Sequence, residues 1–583
     1  PASVWTNIDA NAFRNTNTLN MNLDKYIPKA HSLTVLLGQE IIVNEILTTT
    51  MEGQGFPDFF TAKQAWNFMN YRPNSMTESG TTVTGSTTIN NYYGVDDRLA
   101  SFFGRVNYNF KDRYLLSATM RADGSSRFYK GNQWGYFPSG AFAWRLSEED
   151  FMKNVQWLDN LKWRLSFGAA GNNNIPGGQT QKLMSSRSTS NLSTAASIWT
   201  AGNTLDNPDL RWETMITRNT GIDFNLFNFR LGGTVDLYWN NTKDLLLEFP
   251  IAGSGYATQF QNMGKAENKG VEITLNGTLI QTRKITLDAN FNIGFNKSRV
   301  VSLGNLPEIT ASSGWASSQI TYDYKVLVGQ SLGVMYGYIT DGRYSADNFD
   351  RVGSNWVAKP GVVINEVCPS CNMPGGLKLK DVAGDDGIVN KDDIVEIGNA
   401  TPKFTGGFGL NVKGFGFDLS TFFTFVYGNN IYNANKIEWT STAGYDYRNM
   451  LTTMESGKRW TFIDESGKYI TDPVKLDAMN ANTTMWSPYV GNFLFHSWAV
   501  EDGSFLRCNN ITLGYTLPKR LSSKAYIQSL RLYCTLSNVF IITNYTGFDP
   551  EVDTRRQTPL TPGVDYSAYP RSKGTTLGIN MTF

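Results

Sequence analysis

Few residues in this chain carry recognisable chemistry. Between 380 and 393 the sequence reads KDVAGDDGIVNKDD. Asp381, Asp385 and Asp392 fall at positions 1, 5 and 12 of an EF-hand-like calcium loop, with Ile388 at position 8. Calcium needs several oxygen ligands on a tightly turning loop, and this spacing supplies some of them. Ala383 stands where a further ligand is expected, and Asp386 replaces the turn glycine. A solvated acidic loop is therefore the plainer reading, and calcium is the one cofactor the sequence suggests.

Cys368-Pro-Ser-Cys371 is a CxxC. Zinc would need two more ligands, and the chain's two histidines, His31 and His496, lie far off in sequence. A redox CxxC opens a helix in a thioredoxin-like setting, which is absent here. Two readings remain, a disulfide in a surface loop or a pair of free thiols. Cys508 shares strand parity with Asn510 and Thr512, whereas Cys534 shares it with Leu532 and Leu536. These two cysteines are expected on opposite faces and not bonded to each other.

The chain holds no G-x-S-x-G, no HExxH and no phosphate-cradling glycine loop followed by Lys-Ser/Thr. Glu148, Glu149 and Asp150 form a charge run near a turn and read as a solvated face, not as catalytic carboxylates. No catalytic residue emerges and enzyme activity is not expected. Trp315, Trp356, Trp439 and Trp486 lie in loop-like segments. There they would either stack on sugar rings or pack against other loops and a partner. No substrate-binding residue is singled out.

The elements that carry these residues are more informative. The chain has 583 residues, of which 18% are charged, against roughly 25% in ordinary globular proteins. Lys plus Arg (52) nearly balance Asp plus Glu (51), so no electrostatic footprint for nucleic acid exists. Mean hydropathy is -0.31, and no apolar run reaches the roughly 18 residues that mark a spanning helix. A membrane barrel escapes that test, because its strands are apolar only at alternate positions.

Such alternation recurs along the chain. Phe102, Gly104, Val106, Tyr108 and Phe110 are separated by Arg105, Asn107 and Asn109. Tyr114, Leu116, Ala118 and Met120 face away from Ser117, Thr119, Arg121 and Asp123. The same rhythm runs through Leu161–Phe167, Ile222–Leu226, Phe229–Trp239, Ile285–Phe295 and Leu577–Phe583. Period-2 patterning over about ten residues puts one face in an apolar medium and the other in water, at the length that crosses a bilayer. Roughly fourteen to sixteen segments qualify as strands. Short turns at Lys111–Arg113, Phe227–Asn228, Gln281–Lys284 and Lys413–Phe415 are interleaved with long loops at about 171–210, 297–403 and 427–504. That asymmetry is the one seen in outer-membrane barrels. A terminal aromatic, Phe583, closes the last amphipathic strand.

Several blocks resemble one family. LASFFGRVNYNFKDRYLLSATMRADGSSRF and GYFPSGAFAWRLSEEDF, within 99–151, are similar to SusC-like (RagA-like) TonB-dependent transporters of Bacteroidota. So are NPDLRWE (207–213), NMGKAENKGVEITL (262–275), IGNATPKFTGGF (397–408), EDGSFLRCNNITLGYTLP (501–518), SNVFIITNYTGFDPEV (537–552) and the ending YPRSKGTTLGINMTF. The resemblance implies an all-β fold, a large antiparallel transmembrane barrel that has 22 strands in the family. It also implies import of a large nutrient, an oligosaccharide or a peptide, across the outer membrane of a Gram-negative bacterium. The implied partners are a SusD-like surface lipoprotein and the TonB–ExbB–ExbD complex, which acts through a plug. No plug is recognisable between Pro1 and Phe583, so residues 1–583 are expected to be the barrel portion. A passive porin or structural barrel and a secreted carbohydrate-binding β protein are the alternatives.

Overall fold

The computed structural model describes residues 2–583 apart from 55–59, 68–73, 77–81, 85, 95–96, 190–195, 252, 317–319, 321, 443–447, 490–492 and 555–558. The chain is mostly β, with about 55% of residues in strands. Fifteen long strands follow one another in chain order through hydrogen bonds. They are β1 (Ala2–Asn22), β2 (His31–Gln54), β3 (Asp97–Phe110), β4 (Tyr114–Ser125), β5 (Trp134–Arg145), β6 (Leu158–Asn172), β7 (Glu213–Leu226) and β8 (Leu231–Lys243). After them come β9 (Lys265–Gln281), β10 (Ile285–Ser302), β11 (Phe404–Gly414), β12 (Phe417–Tyr427), β13 (Phe505–Thr516), β14 (Ser529–Thr543) and β15 (Gly574–Thr582). Ser86–Tyr93 pairs with the far end of β2 and makes the sheet 16-stranded. The count agrees with the fourteen to sixteen segments expected from alternation. No described helix is long and apolar enough to cross a membrane.

The chain divides into two compact units, one holding 1–150, 163–220 and 240–265, the other holding 151–162, 221–239 and 266–583. In the first unit the register puts Val35 opposite Val106 and Val106 opposite Ala118. Phe102, Leu116 and Met120 on this face are 56%, 51% and 48% exposed, as side chains built to meet lipid would be. The opposite face is polar and internally paired. Glu40 there takes Arg14 at 2.5 Å and Arg121 at 3.6 Å, and Arg121 also bonds Asp123 at 2.8 Å and Ser101 at 2.9 Å.

The NPDLRWE block is structural. Asn207 bonds the Phe260 carbonyl at 2.8 Å, Leu210 is fully buried, and the Trp212 indole donates to the Gln133 carbonyl at 2.8 Å. Phe128, Phe137, Ile175 and Leu246 complete that small core.

Turn chemistry sets the hairpins. Lys111 and Asp112 both take left-handed φ of 54°, which suits the right-handed twist of the flanking strands. The β11–β12 turn is Phe415-Gly416, with φ of 54° and 86°, one step beyond the expected Lys413–Phe415. Phe227, Asn228 and Phe229 are all left-handed, so β8 starts at Leu231 and the expected start at Phe229 is corrected.

The charge run at 148–150 also needs correction. Glu149 is buried and accepts from the Tyr114 hydroxyl at 2.7 Å, the Trp144 indole at 3.0 Å and Arg113 at 3.1 Å. It ties together the short-turn ends of β4 and β5, so only its neighbours Glu148 and Asp150 are solvated.

In the second unit, a β-bulge reverses one predicted phase. Asn510 pairs with Phe422 and Ser537, yet Cys508 pairs with Phe423 and Phe540, leaving Asn509 as the extra residue. An inserted residue flips every side chain before it to the other face. Cys508 therefore shares the apolar face with Phe423 and Phe540, not the polar face with Asn510 and Thr512. Cys534 lies opposite Leu513 on the apolar face, as its parity predicts. Both thiols are free. They lie several residue pairs apart along the strands, so their separation, and not opposite faces, keeps them unbonded.

The described residues of the long connections at 303–403, 428–504 and 544–573 fold into a packed body with its own cores. One core gathers Trp315, Tyr324, Met335, Tyr432, Phe495 and Val564. A second holds the Cys368–Cys371 disulfide among Leu377, Leu379, Met454 and Trp486. The 544–573 connection is a third long loop beyond those the sequence predicts in this half of the chain.

Candidate functional site

The loop body carries a cavity of about 830 Å³. Its lining comes from a short helix, Ala434–Glu438, with the residues after it, and from 448–451, 546–548 and 565–570. Asn435 joins these segments. Its amide donates to the Asn433 side chain at 3.1 Å and the Asp565 carbonyl at 3.3 Å, and its oxygen accepts from the Ser567 N–H at 2.8 Å. The Asp565 carboxylate in turn accepts from the Tyr545 hydroxyl at 2.6 Å, an anion that, after burial itself, helps to hold the phenol protonated.

Each cation of the site is engaged by the protein. Lys436 lies 3.5 Å from Glu501 and 4.0 Å over the Trp498 ring. Burial lowers its pKa and Glu501 opposes the shift. Arg448 bonds the Glu438 carbonyl at 2.8 Å and its carboxylate at 3.2 Å, with its guanidinium 4.9 Å over Trp439. The apolar part of the lining is aromatic and aliphatic: Trp439, Met450, Leu451, Phe548 and Tyr569. Phe548 and Tyr569 are 74% and 91% exposed, a placement that packing within the chain does not account for. The arrangement suits non-covalent capture, since rings bind apolar surface and the surrounding polar groups orient it. Among the described residues that line the cavity, none form a nucleophile–base pair.

Of the four loop tryptophans, Trp439 alone lines this cavity. Trp315 is buried and donates to the Tyr432 hydroxyl at 2.6 Å. Trp486 is buried beside His496, and Trp356 packs against a core under Arg351. Phe548 and Tyr569 escaped the sequence reading, because nothing local to NYTGFDPEV or YPRSKG marks a ring as exposed.

The carboxylates with calcium-loop spacing are placed separately. Asp381 accepts from the Gly387 N–H at 2.8 Å, Asp385 has a left-handed φ of 49°, and Asp392 is exposed. The buried carboxylate is Asp393, which accepts from the backbone of Val382 at 2.6 Å, Ala383 at 2.9 Å and Asn390 at 2.8 Å. Among the described residues no three His, Cys, Asp or Glu side chains are grouped to hold a metal ion.

Long up-and-down strands with one apolar face, joined in part by short turns, are those of an outer-membrane β-barrel. The family described as TonB dependent receptor-like, beta-barrel matches residues 4–362, and the chain belongs to it. Among curated relatives, TonB-dependent receptor P3 of Formosa agariphila is 31% identical over 98% of this chain and 53% of its own length. TonB-dependent receptor SusC of Bacteroides thetaiotaomicron is 30% identical over 84% of this chain and 44% of its own length. The chain thus spans about half the length of the curated relatives it matches. Among solved structures, the RagAB peptide transporter superposes with a TM-score of 0.72 at 24% identity, over 100% of this chain and 56% of that one. The last likeness is one of fold.

Proposed function

We propose that this chain is the barrel part of a TonB-dependent importer of a large nutrient, an oligosaccharide or a peptide, working with a SusD-like surface lipoprotein. Membership of the family supports the class. The observation that carries the reading for this chain is the cavity lined by half-buried Trp439 and the exposed rings Phe548 and Tyr569, among loops that would meet incoming substrate. Transport requires no covalent chemistry from these side chains; they would capture and orient, and a plug moved by TonB would open the path.

The test is uptake of labelled oligosaccharide and peptide mixtures by cells carrying or lacking the gene, with and without TonB, followed by pull-down of the tagged protein. Uptake that needs both the gene and TonB, with a lipoprotein retained, supports the proposal. Uptake that needs the gene but ignores TonB would make the protein a passive pore.

Calcium binding at Asp381, Asp385 and Asp392 is a separate proposal. It is supported by their spacing, and it calls for a local rearrangement that lets them share an ion. Titration calorimetry tests it, and a flat titration would remove it.

A further inference from the structure

On the apolar face of β8 to β14, at the end where the long loops begin, basic side chains gather among rings. A cavity of about 480 Å³ is lined by Trp239, Lys269, Phe295, Lys297 and Lys403. Lys403 also lines an adjoining polar cavity of about 480 Å³ with Asn399, Tyr427, Asn429 and Ser504. Tyr427 and Ser504 lead from there into an apolar groove formed by Phe404, Phe425, Leu506 and Ile542. Ring stacking makes the three continuous, with Phe295 against Phe404 at 5.6 Å and Phe404 against Tyr427 at 4.9 Å.

The charges are unbalanced. Glu267, 6% exposed, is taken by the Trp239 indole at 2.8 Å, Arg299 at 2.8 Å and Lys269 at 3.2 Å. Asp502 in the second cavity is satisfied by the N–H and hydroxyl of Ser504, at 2.9 and 2.6 Å. Lys297 and Lys403 are exposed and take part in no ion pair among the described residues. Lys269 and Arg299 are each about half exposed and share one carboxylate between them.

We propose that this patch binds a phosphate-bearing lipid of the surrounding leaflet, its head group on Lys269, Lys297 and Lys403 and its acyl chains along the Phe404–Ile542 groove. The chemistry selects this occupant. A free anion has no use for an apolar groove, whereas an apolar chain has no use for excess lysine. Lysine ammonium groups serve as point charges for phosphate, and their stems lie along apolar surface with the head group held out. The patch includes Leu237, Phe295 and Ile542, which are 48%, 41% and 62% exposed on the face that meets lipid. A girdle of rings at the head-group level is where such barrels meet the membrane boundary. The proposal needs membrane insertion and is independent of which nutrient is carried.

The test reconstitutes the full-length protein in nanodiscs of phosphatidylcholine doped with lipid A, phosphorylated or dephosphorylated, and counts lipid retained after detergent extraction by native mass spectrometry. Preferential retention of the phosphorylated form is expected. Each basic group near an anionic surface contributes roughly fivefold, so K269Q/K297Q/K403Q should lower retention on the order of 100-fold. The loop variant K391Q/K468Q/K475Q should leave it unchanged. Should the first triple variant fail to fold, K297Q and K403Q singly, which break no ion pair, should each lower retention roughly fivefold. Equal retention of both lipid forms, or indifference to the lysines, overturns the proposal. So does displacement by millimolar inorganic phosphate alone, which would assign the patch to a free anion.

Discussion

The Arg507 guanidinium on β13 stands 2.5 Å from the Asp549 carboxylate in the following long connection, with both side chains only 6% exposed. Arg571 takes the other Asp549 oxygen at 3.1 Å, and Glu551 lies 3.0 Å from Arg571 and 3.5 Å from Arg507. Two cations and two carboxylates thus fasten the segment that carries Phe548 and Tyr569 to the sheet. Removing one partner of a buried pair strands the other charge. Arg507→Ala is therefore expected to cost about 3–5 kcal/mol. Unfolding midpoints should show it, and Asp549→Asn on the Arg507→Ala background should cost much less than it does alone.

Glu149 serves three donors at the base of β4 and β5. Glu149→Ala should lower the unfolding midpoint and fray the short-turn end, seen as faster amide exchange at Tyr114 and Trp144. Glu149→Gln keeps an acceptor and should be milder. If both variants unfold like the parent, the carboxylate is a bystander.

The cavity mouth predicts a binding defect without a folding defect. Tyr569→Ala removes a ring that is 91% exposed, so stability should hold. An aromatic contact contributes about 0.5–1.5 kcal/mol, so affinity for a ligand captured as proposed should fall roughly two- to tenfold. Trp439→Ala should act in the same direction, with some loosening of Arg448. Heat-modifiable gel migration separates the two effects.

His496 is expected to make the loop body acid-sensitive. Burial, aided by the nearby Lys436 charge, pushes its pKa down to about 3, and its Nδ1 lies 2.8 Å from the Thr340 hydroxyl. The unfolded chain takes up the proton near the ordinary 6.5, while the folded chain resists it. The stability is fully present above pH 6.5 and is lost as pH falls from there towards 3, at up to roughly 1.4 kcal/mol per pH unit. Limited proteolysis of the loops at pH 7.5 and 4.5 should show the difference, and His496→Gln should flatten it.

The two free thiols differ in access. Cys508 is fully buried beneath Phe423 and Phe540, whereas Cys534 is half-buried on the apolar face. In membranes, Cys534 should react with an uncharged maleimide and resist a sulfonated one, and Cys508 should resist both. Labelling of Cys508 by the sulfonated reagent would contradict the bulge at Asn509.

The strands were legible because their signal is local. Period-2 alternation is a property of neighbouring residues, and it placed Phe102–Phe110, Tyr114–Met120 and Ile285–Phe295 on the correct faces. Short turns were legible for the same reason, to within a residue or two at Phe415 and Phe229. The phase of Cys508 was not, since a bulge leaves no mark in composition and reverses everything on one side of it. Nor was the burial of Glu149, because its donors come from residues up to 36 positions away.

Function divides along the same line. The blocks NPDLRWE and IGNATPKFTGGF pointed to the family from the chain alone, because each is a contiguous run of residues that can be read without knowing what it packs against. The cavity and the lysine patch came only with tertiary structure. Asn435 meets Ser567 across 132 residues, and Lys269, Lys297 and Lys403 lie on separate strands or beside them. Such groupings arise where register and loop packing bring distant segments together, and no pattern within any one segment encodes them.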